Sequence, residues 1–337
     1  MPGATRLLAA FLIALAVVAA ANAATARVTS NSMPRQTLEA ARTGAHASVV
    51  ALGNSLVQAG FDAAAFDASA GLSRDAGSLN LGLGSTMPVE HLLLLRELFR
   101  HGAAPRLVVY GFFDFQLSEP TRFAIGDMIG NHSMLYEQEP WYARQFYELS
   151  RRDAVEFRAF RRFPLFTQRG TLWAKVERLR RLLGEQGMPP EKAIRFGRAN
   201  DFGALEAASS QVFAERCVAE LAGELNPAVD EILRTARSHG SNVVVVAMPM
   251  PASHRARFYA LDCWQRYVSY MGAELARRGA QYLDCSDSMG EDAFDDPLHV
   301  NGSGAVRFSR ELGSVLKGGA DQSSASCRFR TVAPPRL

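Results

Sequence analysis

Residues 49–60 read VVALGNSLVQAG, and within this stretch an apolar run gives way to a polar turn. The run is rich in valine, as expected of a strand that is buried on both faces. It ends at Gly53, Asn54 and Ser55, which are residue types common in turns. A plain turn explains them. The alternative is that the turn presents the Ser55 hydroxyl at the carboxyl edge of a parallel sheet, where open α/β sheets bind their ligands.

Short apolar runs alternate with helical patterns along much of the remaining chain. We predict strands at 47–53, 78–84, 106–113, 241–249 and 281–285, and helices at 90–102, at 226–240 and from 302 onward. This alternation is typical of a parallel sheet with helices on both faces. The sequence therefore predicts an α/β fold over residues 47–316, a three-layer, doubly wound parallel sheet.

A long segment of helical pattern, at about residues 120–225, interrupts the alternation. Arginines and aromatic residues are interleaved along it, and Arg158, Arg161 and Arg162 are close together. An inserted helical subdomain accounts for this pattern, because charges along a helix usually mark its solvent-exposed face. The alternative is a surface that binds anionic lipid head groups, acidic polysaccharide or a membrane partner.

The first 23 residues are typical of an export signal. Arg6 precedes a long uncharged run, which ends in a small-residue triplet at 21–23 like that of a signal-peptide cleavage site. A retained N-terminal membrane anchor is the alternative, since the run is near the lower length limit for crossing a bilayer. Both predict a secreted, periplasmic or membrane-anchored protein, with a polar linker at 24–46 and a C-terminal tail at 317–337.

Composition narrows the function classes. The formal net charge of +3 on 337 residues is too small to predict nucleic-acid binding. The four cysteines, Cys217, Cys263, Cys285 and Cys327, lack the spacing of a zinc site. Outside the cytoplasm an even number of cysteines permits disulfides, and Cys263 with Cys285 is one candidate pair.

A second chemical signal is DDPLHVNGSGAVRF, at residues 295–308, between the last predicted strand and the last predicted helix. Asp296 lies three residues before His299, and Pro297 stiffens the bend between them. Such a carboxylate can fix the imidazole tautomer and leave the other ring nitrogen free as a base. A serine needs such a base to become a nucleophile at neutral pH. An Asp-Pro turn with an incidental histidine is the alternative interpretation.

The two stretches together resemble the first and last sequence blocks of the SGNH (GDSL-type) hydrolase superfamily. ALGNSLVQAG matches the first block, with Asn54 where many members have aspartate, and DDPLHVNGSGAVRFSREL matches the last. The resemblance covers about residues 47–115 and 241–316. It implies that the sheet is flavodoxin-like. It also implies that Ser55 is the nucleophile, that His299 is its base and that Asp296 orients the base.

The resemblance also implies an oxyanion hole. Its backbone donors would be the N–H groups of Ser55 and Gly84, with Ser85 as the alternative to Gly84. The third block of the superfamily, G-x-N-D, corresponds to GFFD at 111–114, where Phe113 replaces the asparagine that donates from its side chain. Losing one such donor typically lowers the rate by a factor of about 10²–10³. The candidate replacement donors are Gln116 and a protonated Asp114, and Gln116 is favoured because it is neutral and can donate.

These features predict an extracytoplasmic serine-dependent O-acyltransferase or esterase that acts on an acyl ester of a cell-envelope or exported polymer. The export signal, the long insertion and the missing asparagine resemble the accessory proteins of alginate acetylation and of lipoteichoic acid D-alanylation. The expected partners are an acyl donor, a hydroxyl acceptor such as a polysaccharide, and a membrane protein; no metal or cofactor is required. The alternative is a non-catalytic envelope protein that binds a polysaccharide or a membrane partner.

Overall fold

The structure is a computed structural model, and it describes the chain in several segments. These are residues 2–118, 133–146, 151–152, 155, 158, 163–182, 213, 224–318 and 326–330. The chain divides into two compact units, one comprising Met1–Gln36 and Arg122–Ala193, the other Thr37–Thr121 and Ile194–Leu337. Much of the predicted insertion at 120–225, including Arg161 and Arg162, lies outside the described residues.

The second unit contains a six-stranded sheet. Its strands are β1 (Val49–Leu52), β2 (Ser78–Asn80), β3 (Leu107–Phe112), β4 (Asn242–Ala247), β5 (Gln281–Asp284) and β6 (Arg328–Phe329). Their order is β2-β1-β3-β4-β5-β6, in which the first five are parallel and β6 is antiparallel to β5. This confirms the predicted α/β fold. The strand at 281–285 is not the last, however, because the predicted C-terminal tail contributes β6.

The helices lie between the strands and at the N-terminus. They are α1 (Pro2–Val28), α2 (Met33–Thr43), α3 (Ser55–Gly60), α4 (Ala63–Ala70), α5 (Pro88–Arg100), α6 (Ser133–Gln138), α7 (Pro140–Ala143), α8 (Pro164–Thr167), α9 (Arg169–Leu182), α10 (Pro227–Ser238), α11 (Ala252–His254), α12 (Asp262–Arg277) and α13 (Gly302–Leu316). A π-helical turn, Arg255–Tyr259, continues α11. Helix α13 packs against α3 and α4, whereas α5 packs against α10, which gives the sheet its two helical layers.

Local sequence explains where these elements begin. The amide of Asn226 caps α10 by accepting the Ala228 N–H at 2.8 Å, and Pro227 occupies the first helical position. Helix α5 also starts at a proline, and Glu90 accepts the Met87 N–H at 2.7 Å. Strand β4 contains four consecutive valines and is buried along five of its six residues, as expected of a central parallel strand.

The predicted disulfide between Cys263 and Cys285 is wrong, because Cys285 pairs with Cys327. The ladder between β5 and β6 explains the pairing. Asp284 is opposite Arg328, so the next antiparallel step places the cysteine after β5 beside the cysteine before β6. Cys263 is itself disulfide-bonded. The sequence could not reveal this, since a two-residue strand has no periodic pattern.

The predicted linker at 24–46 is instead largely helical. Helix α1 runs to Val28, and α2 follows after four residues. Leu38 and Ala41 of α2 are buried, and Arg42 donates to the buried carboxylate of Glu97 at 2.8 Å. The apolar side of α2 consists of few and mostly small side chains, so the segment is polar in overall composition although one face packs.

Helix α1 contains the candidate export segment. Residues Ala4–Val28 have a mean hydropathy of 2.4 over the most apolar window, and none of that window is buried. The helix is therefore long and apolar enough to cross a membrane, and a signal sequence has the same properties. It continues without a break through Ala23, the predicted cleavage position.

Candidate active site

Ser55 lies where β1 ends and is the first residue of α3. Strands β2 and β3 lie on opposite sides of β1, so this end of β1 is the topological switch point at which doubly wound sheets bind ligands. Gly53 makes the tight turn possible. A Cβ at this residue would lie 2.7 Å from the Gly111 carbonyl oxygen and 2.5 Å from Cγ2 of Val57, so a larger residue would push the turn away from β3.

The structure brings Ser55, His299 and Asp296 together from opposite ends of the chain. His299 Nε2 is 2.8 Å from Ser55 Oγ, and His299 Nδ1 is 2.8 Å from Asp296 Oδ2. A carboxylate accepts hydrogen bonds, so the contact with Asp296 fixes the proton on Nδ1. In the neutral imidazole with this tautomer, Nε2 carries the lone pair and can accept the proton of the Ser55 hydroxyl.

Asp296 is buried and well supplied with donors. Its Oδ1 accepts the backbone N–H groups of Leu298 at 2.7 Å and His299 at 2.8 Å, which compensates for the loss of water around the charge. Neighbouring Asp295 is exposed, and its backbone N–H donates to the His299 carbonyl at 2.9 Å. Of the two adjacent carboxylates, Asp296 is therefore the one that contacts the imidazole.

The loop that carries His299 is held at the start of α13. Asn301 caps this helix by accepting the Gly304 N–H at 2.9 Å, and its amide donates to the Asp292 carbonyl at 2.8 Å. A Cβ at Gly304 would lie 2.3 Å from the Ala293 carbonyl oxygen. The asparagine and glycine that follow the histidine thus fix the loop against the preceding turn.

Gln116 has its side-chain amide oriented by its neighbours. Asn54 Oδ1 accepts the Leu56 N–H at 2.9 Å, and because a backbone N–H can only donate, this bond fixes which end of the Asn54 amide is oxygen. Asn54 Nδ2 therefore donates to Gln116 Oε1, at 3.2 Å. The Nε2 group of Gln116 is then the end left to donate. Gln116 lines the same cavity as Ser55.

The segment after β2 lies against the helix that Ser55 begins. A Cβ at Gly82 would lie 2.3 Å from the Gln58 backbone nitrogen, and one at Gly84 would lie 3.7 Å from Ser55 Cβ. Asn80 fixes this segment by donating to the Phe61 carbonyl at 2.8 Å. Gly84 is therefore adjacent to Ser55, as an oxyanion-hole residue must be. The alternative, Ser85, is exposed and also lines the cavity.

A cavity of about 360 Å³ opens at Ser55. Its aromatic walls are Phe113, Phe115 and Phe213, and its polar lining includes Asp114 and Gln116. Phe113 stands where the superfamily pattern has asparagine, so this part of the wall is apolar. Among the described residues, no group of three or more His, Cys, Asp and Glu side chains is arranged to hold a metal ion.

A polar cluster that no local sequence pattern reveals lies next to this cavity. Asp114 Oδ1 accepts the Tyr259 hydroxyl at 2.8 Å and lies 3.1 Å from His254 Nε2. Burial, together with the Asp114 charge, raises the pKa of Tyr259 well above its usual range, so its hydroxyl stays a donor. The only signal in the sequence was Asp114 in the third block, since its partners are about 140 residues away.

Comparisons with known proteins do not identify a family. No protein-family model matches the chain, and no curated protein matches it. Among solved structures, it is similar to a candidate acylhydrolase from Bacteroides fragilis, with 12% identity and a TM-score of 0.36, over 82% of this chain and 88% of that one. A similarity this weak carries no argument about activity.

Proposed function

We propose that this protein is an extracytoplasmic serine-dependent O-acyltransferase or esterase that acts on an acyl ester of a cell-envelope or exported polymer. The observation that carries the proposal is the hydrogen-bonded line from Asp296 through His299 to Ser55 Oγ at the open cavity. An envelope protein that only binds a polymer has no need of a buried carboxylate, an oriented imidazole and a serine in this geometry.

In the first step, Ser55 Oγ attacks the acyl carbonyl carbon while His299 Nε2 takes the hydroxyl proton. The carbonyl electrons move onto oxygen, and the tetrahedral intermediate collapses as Nε2 returns the proton to the leaving alcohol oxygen. In the second step, water or a hydroxyl acceptor gives its proton to Nε2 and attacks the acyl carbon. The bond from that carbon to Ser55 Oγ then breaks, and Nε2 returns the proton to Oγ. Asp296 keeps its own charge throughout and stabilises the imidazolium.

The oxyanion requires donors in fixed positions. Ser55 is the first residue of α3, so its N–H has no acceptor within the helix, and the adjacent Gly84 supplies a second backbone N–H. We assign the third donor to Gln116 Nε2, in place of the asparagine absent at Phe113. The hydrogen bonds from the Leu56 N–H to Asn54 and from Asn54 to Gln116 support this assignment, because they orient the Gln116 amide before substrate binds.

We expect Gln116→Met to lower the acylation rate by a factor of about 10²–10³, because methionine preserves volume but cannot donate to the oxyanion. Stopped-flow release of p-nitrophenol from p-nitrophenyl acetate measures this rate. Gln281→Met is the matched control, since Gln281 is exposed at the opposite end of the sheet. Equal acylation rates for the two variants would show that Gln116 is not a donor of the oxyanion hole.

Transfer to a hydroxyl acceptor is favoured over hydrolysis by the apolar cavity wall. Phe113, Phe115 and Phe213 line part of the cavity, and an apolar wall offers water no hydrogen-bond partner, which disfavours attack by unbound water. A bound hydroxyl is less affected, because binding supplies proximity and orientation. The acceptor is therefore an alcohol, and a polysaccharide hydroxyl fits the proposed location.

The proposed location outside the cytoplasm is supported by two features. The apolar helix α1 has the length and hydropathy of an export signal or anchor. Cys285 and Cys327 form a disulfide, and disulfides persist in oxidising compartments but are rare in the cytosol. A membrane protein that delivers the acyl donor is a compatible partner, and α1 would place the catalytic unit at the membrane if it is retained.

The proposal is tested with a serine-reactive fluorophosphonate probe on the purified full-length protein. We expect a single adduct by intact mass, which peptide mapping assigns to Ser55, because only an activated serine reacts rapidly with such a probe. Prior denaturation of the protein is the control and should abolish labelling. A folded protein that acquires no adduct would instead support the non-catalytic polymer-binding function.

A further inference from the structure

Asp114 follows β3 and lines the cavity that contains Ser55. Tyr259 holds it at two points, because its hydroxyl donates to Asp114 Oδ1 at 2.8 Å and accepts the Asp114 N–H at 3.4 Å. The φ angle of Asp114 is +45°, a left-handed conformation that few residues other than glycine adopt. The carboxylate is thus fixed in place by a buried side chain.

One oxygen of this carboxylate is left for a ligand. The contacts with Tyr259 and His254 both use Oδ1, and within the described part of the chain no hydrogen bond reaches Oδ2. The Asp114 side chain is 24% exposed. The described cavity lining contains no lysine or arginine. Since a carboxylate oxygen accepts, the group that completes this site must be a hydrogen-bond donor.

We propose that Asp114 binds a second hydroxyl of the acyl acceptor, on the carbon next to the hydroxyl that receives the acyl group. This inference rests on the proposed function of Ser55. It names the acceptor class as vicinal diols, which include glycerol units and sugar rings. Cavity residue Phe113 offers an apolar surface to the carbon side of such a molecule, while Asp114 orients its polar side.

Asp114 takes no part in the bond changes of the second step. The attacking acceptor hydroxyl forms a C–O bond to the acyl carbon as its proton moves to His299 Nε2. The bond between that carbon and Ser55 Oγ then breaks, and Nε2 returns the proton to Oγ. Asp114 takes no proton and only positions the acceptor, so its contribution falls on the second step and leaves formation of the acyl-enzyme unchanged.

The test is the substitution Asp114→Asn. It replaces Oδ2, the oxygen that would accept a hydrogen bond from the diol, with an amide nitrogen that can only donate. Asparagine tolerates the left-handed backbone, and its carbonyl can keep the bond from Tyr259, so Nδ2 replaces Oδ2. With p-nitrophenyl acetate as donor, the ratio of ester to free acetate is measured with propane-1,2-diol and with propan-1-ol. We expect the wild type to give a higher ratio of ester to acetate with the diol than with propan-1-ol. In the variant this preference for the diol should be about tenfold smaller, as expected for the loss of one charged hydrogen bond.

The burst of p-nitrophenol and the transfer to propan-1-ol should stay within about twofold of wild type, because neither uses the second hydroxyl. Tyr259→Phe is the second variant. It keeps the ring that stacks on Trp264 at 4.2 Å between centroids, and removes only the hydroxyl that holds Asp114. We expect a smaller loss of diol preference in the same direction.

Several outcomes would overturn the proposal. An unchanged diol preference in Asp114→Asn, with a normal burst, rejects the acceptor site and leaves the Ser55 assignment intact. A lost burst in that variant, if it is folded, places Asp114 in the first step. A stronger preference for choline than for the diol would indicate recognition of charge. A folded wild type that releases p-nitrophenol no faster than the uncatalysed reaction rejects the function of Ser55 and this site with it.

Discussion

Ser55→Ala is expected to lower esterase turnover of p-nitrophenyl acetate by a factor of about 10⁴–10⁶, because it removes the nucleophile while the rest of the site stays in place. The substitution leaves the helix cap untouched, since Asn54 provides it, and we expect thermal unfolding to be unchanged. Residual activity should equal that of the oxyanion hole and binding alone.

Ser85→Ala is the matched control for this experiment. Ser85 lines the same cavity, and alanine keeps the backbone N–H that would be its sole contribution to an oxyanion hole. We expect turnover within about threefold of wild type, in line with an exposed surface substitution. If Ser55→Ala retained turnover while Ser85→Ala lost it, the nucleophile would have to be reassigned to the loop after β2.

Asp296→Asn is expected to lower kcat by a factor of about 10⁴, because it reverses the imidazole tautomer. The backbone N–H groups of Leu298 and His299 can only donate, so the asparagine oxygen must stay at Oδ1. The amide nitrogen then faces His299 Nδ1 and donates to it. The ring proton moves to Nε2, which can no longer accept the proton of the serine.

Asp295→Asn is the control for the adjacent carboxylate. Its side chain is exposed, and the bond that its backbone N–H makes to the His299 carbonyl is kept in the variant. We expect kcat within about twofold of wild type, as is usual for an exposed polar substitution. The reverse ranking of the two variants would show that the carboxylate of Asp295 supports the imidazole in solution.

Much of the fold could be predicted because each central strand is an apolar run with a turn at its end. The valines of β4 and the run before Gly53 gave strand positions within two residues of those in the structure. Helices α5, α10 and α13 carry their own start signals, at Pro88, Pro227 and Asn301. Such local signals survive in a single sequence because they depend on neighbouring residues alone.

The elements that were missed lack a local signal. Helix α2 buries a few small side chains, and β6 is held by a distant cysteine as much as by its ladder. The pairing of His254 and Tyr259 with Asp114 exists only because a π-helical turn brings both residues to the end of β3. The chain between them carries no pattern that would indicate this contact.

For the candidate site, the sequence predicted which residues meet but not how they are oriented. Asn54 appeared as a neutral turn residue, whereas the structure shows that it caps α3 and orients the Gln116 amide. The orientation follows from one backbone N–H, that of Leu56. Hydrogen-bond direction of this kind requires three-dimensional contacts, so sequence reasoning alone could name Gln116 and could not say which end of its amide is free.

The short strand β6 covers one edge of the sheet, and we expect it to reduce pairing between copies of the protein. An uncovered β5 would present unpaired backbone groups along the edge of the sheet, which is a template for edge-to-edge association. Two residues of β6 cover it, and the bond between Cys285 and Cys327 keeps them there. Where that bond is reduced, only the two-residue ladder holds β6 in place, so we expect reduced chains to expose this edge more often and to aggregate more readily.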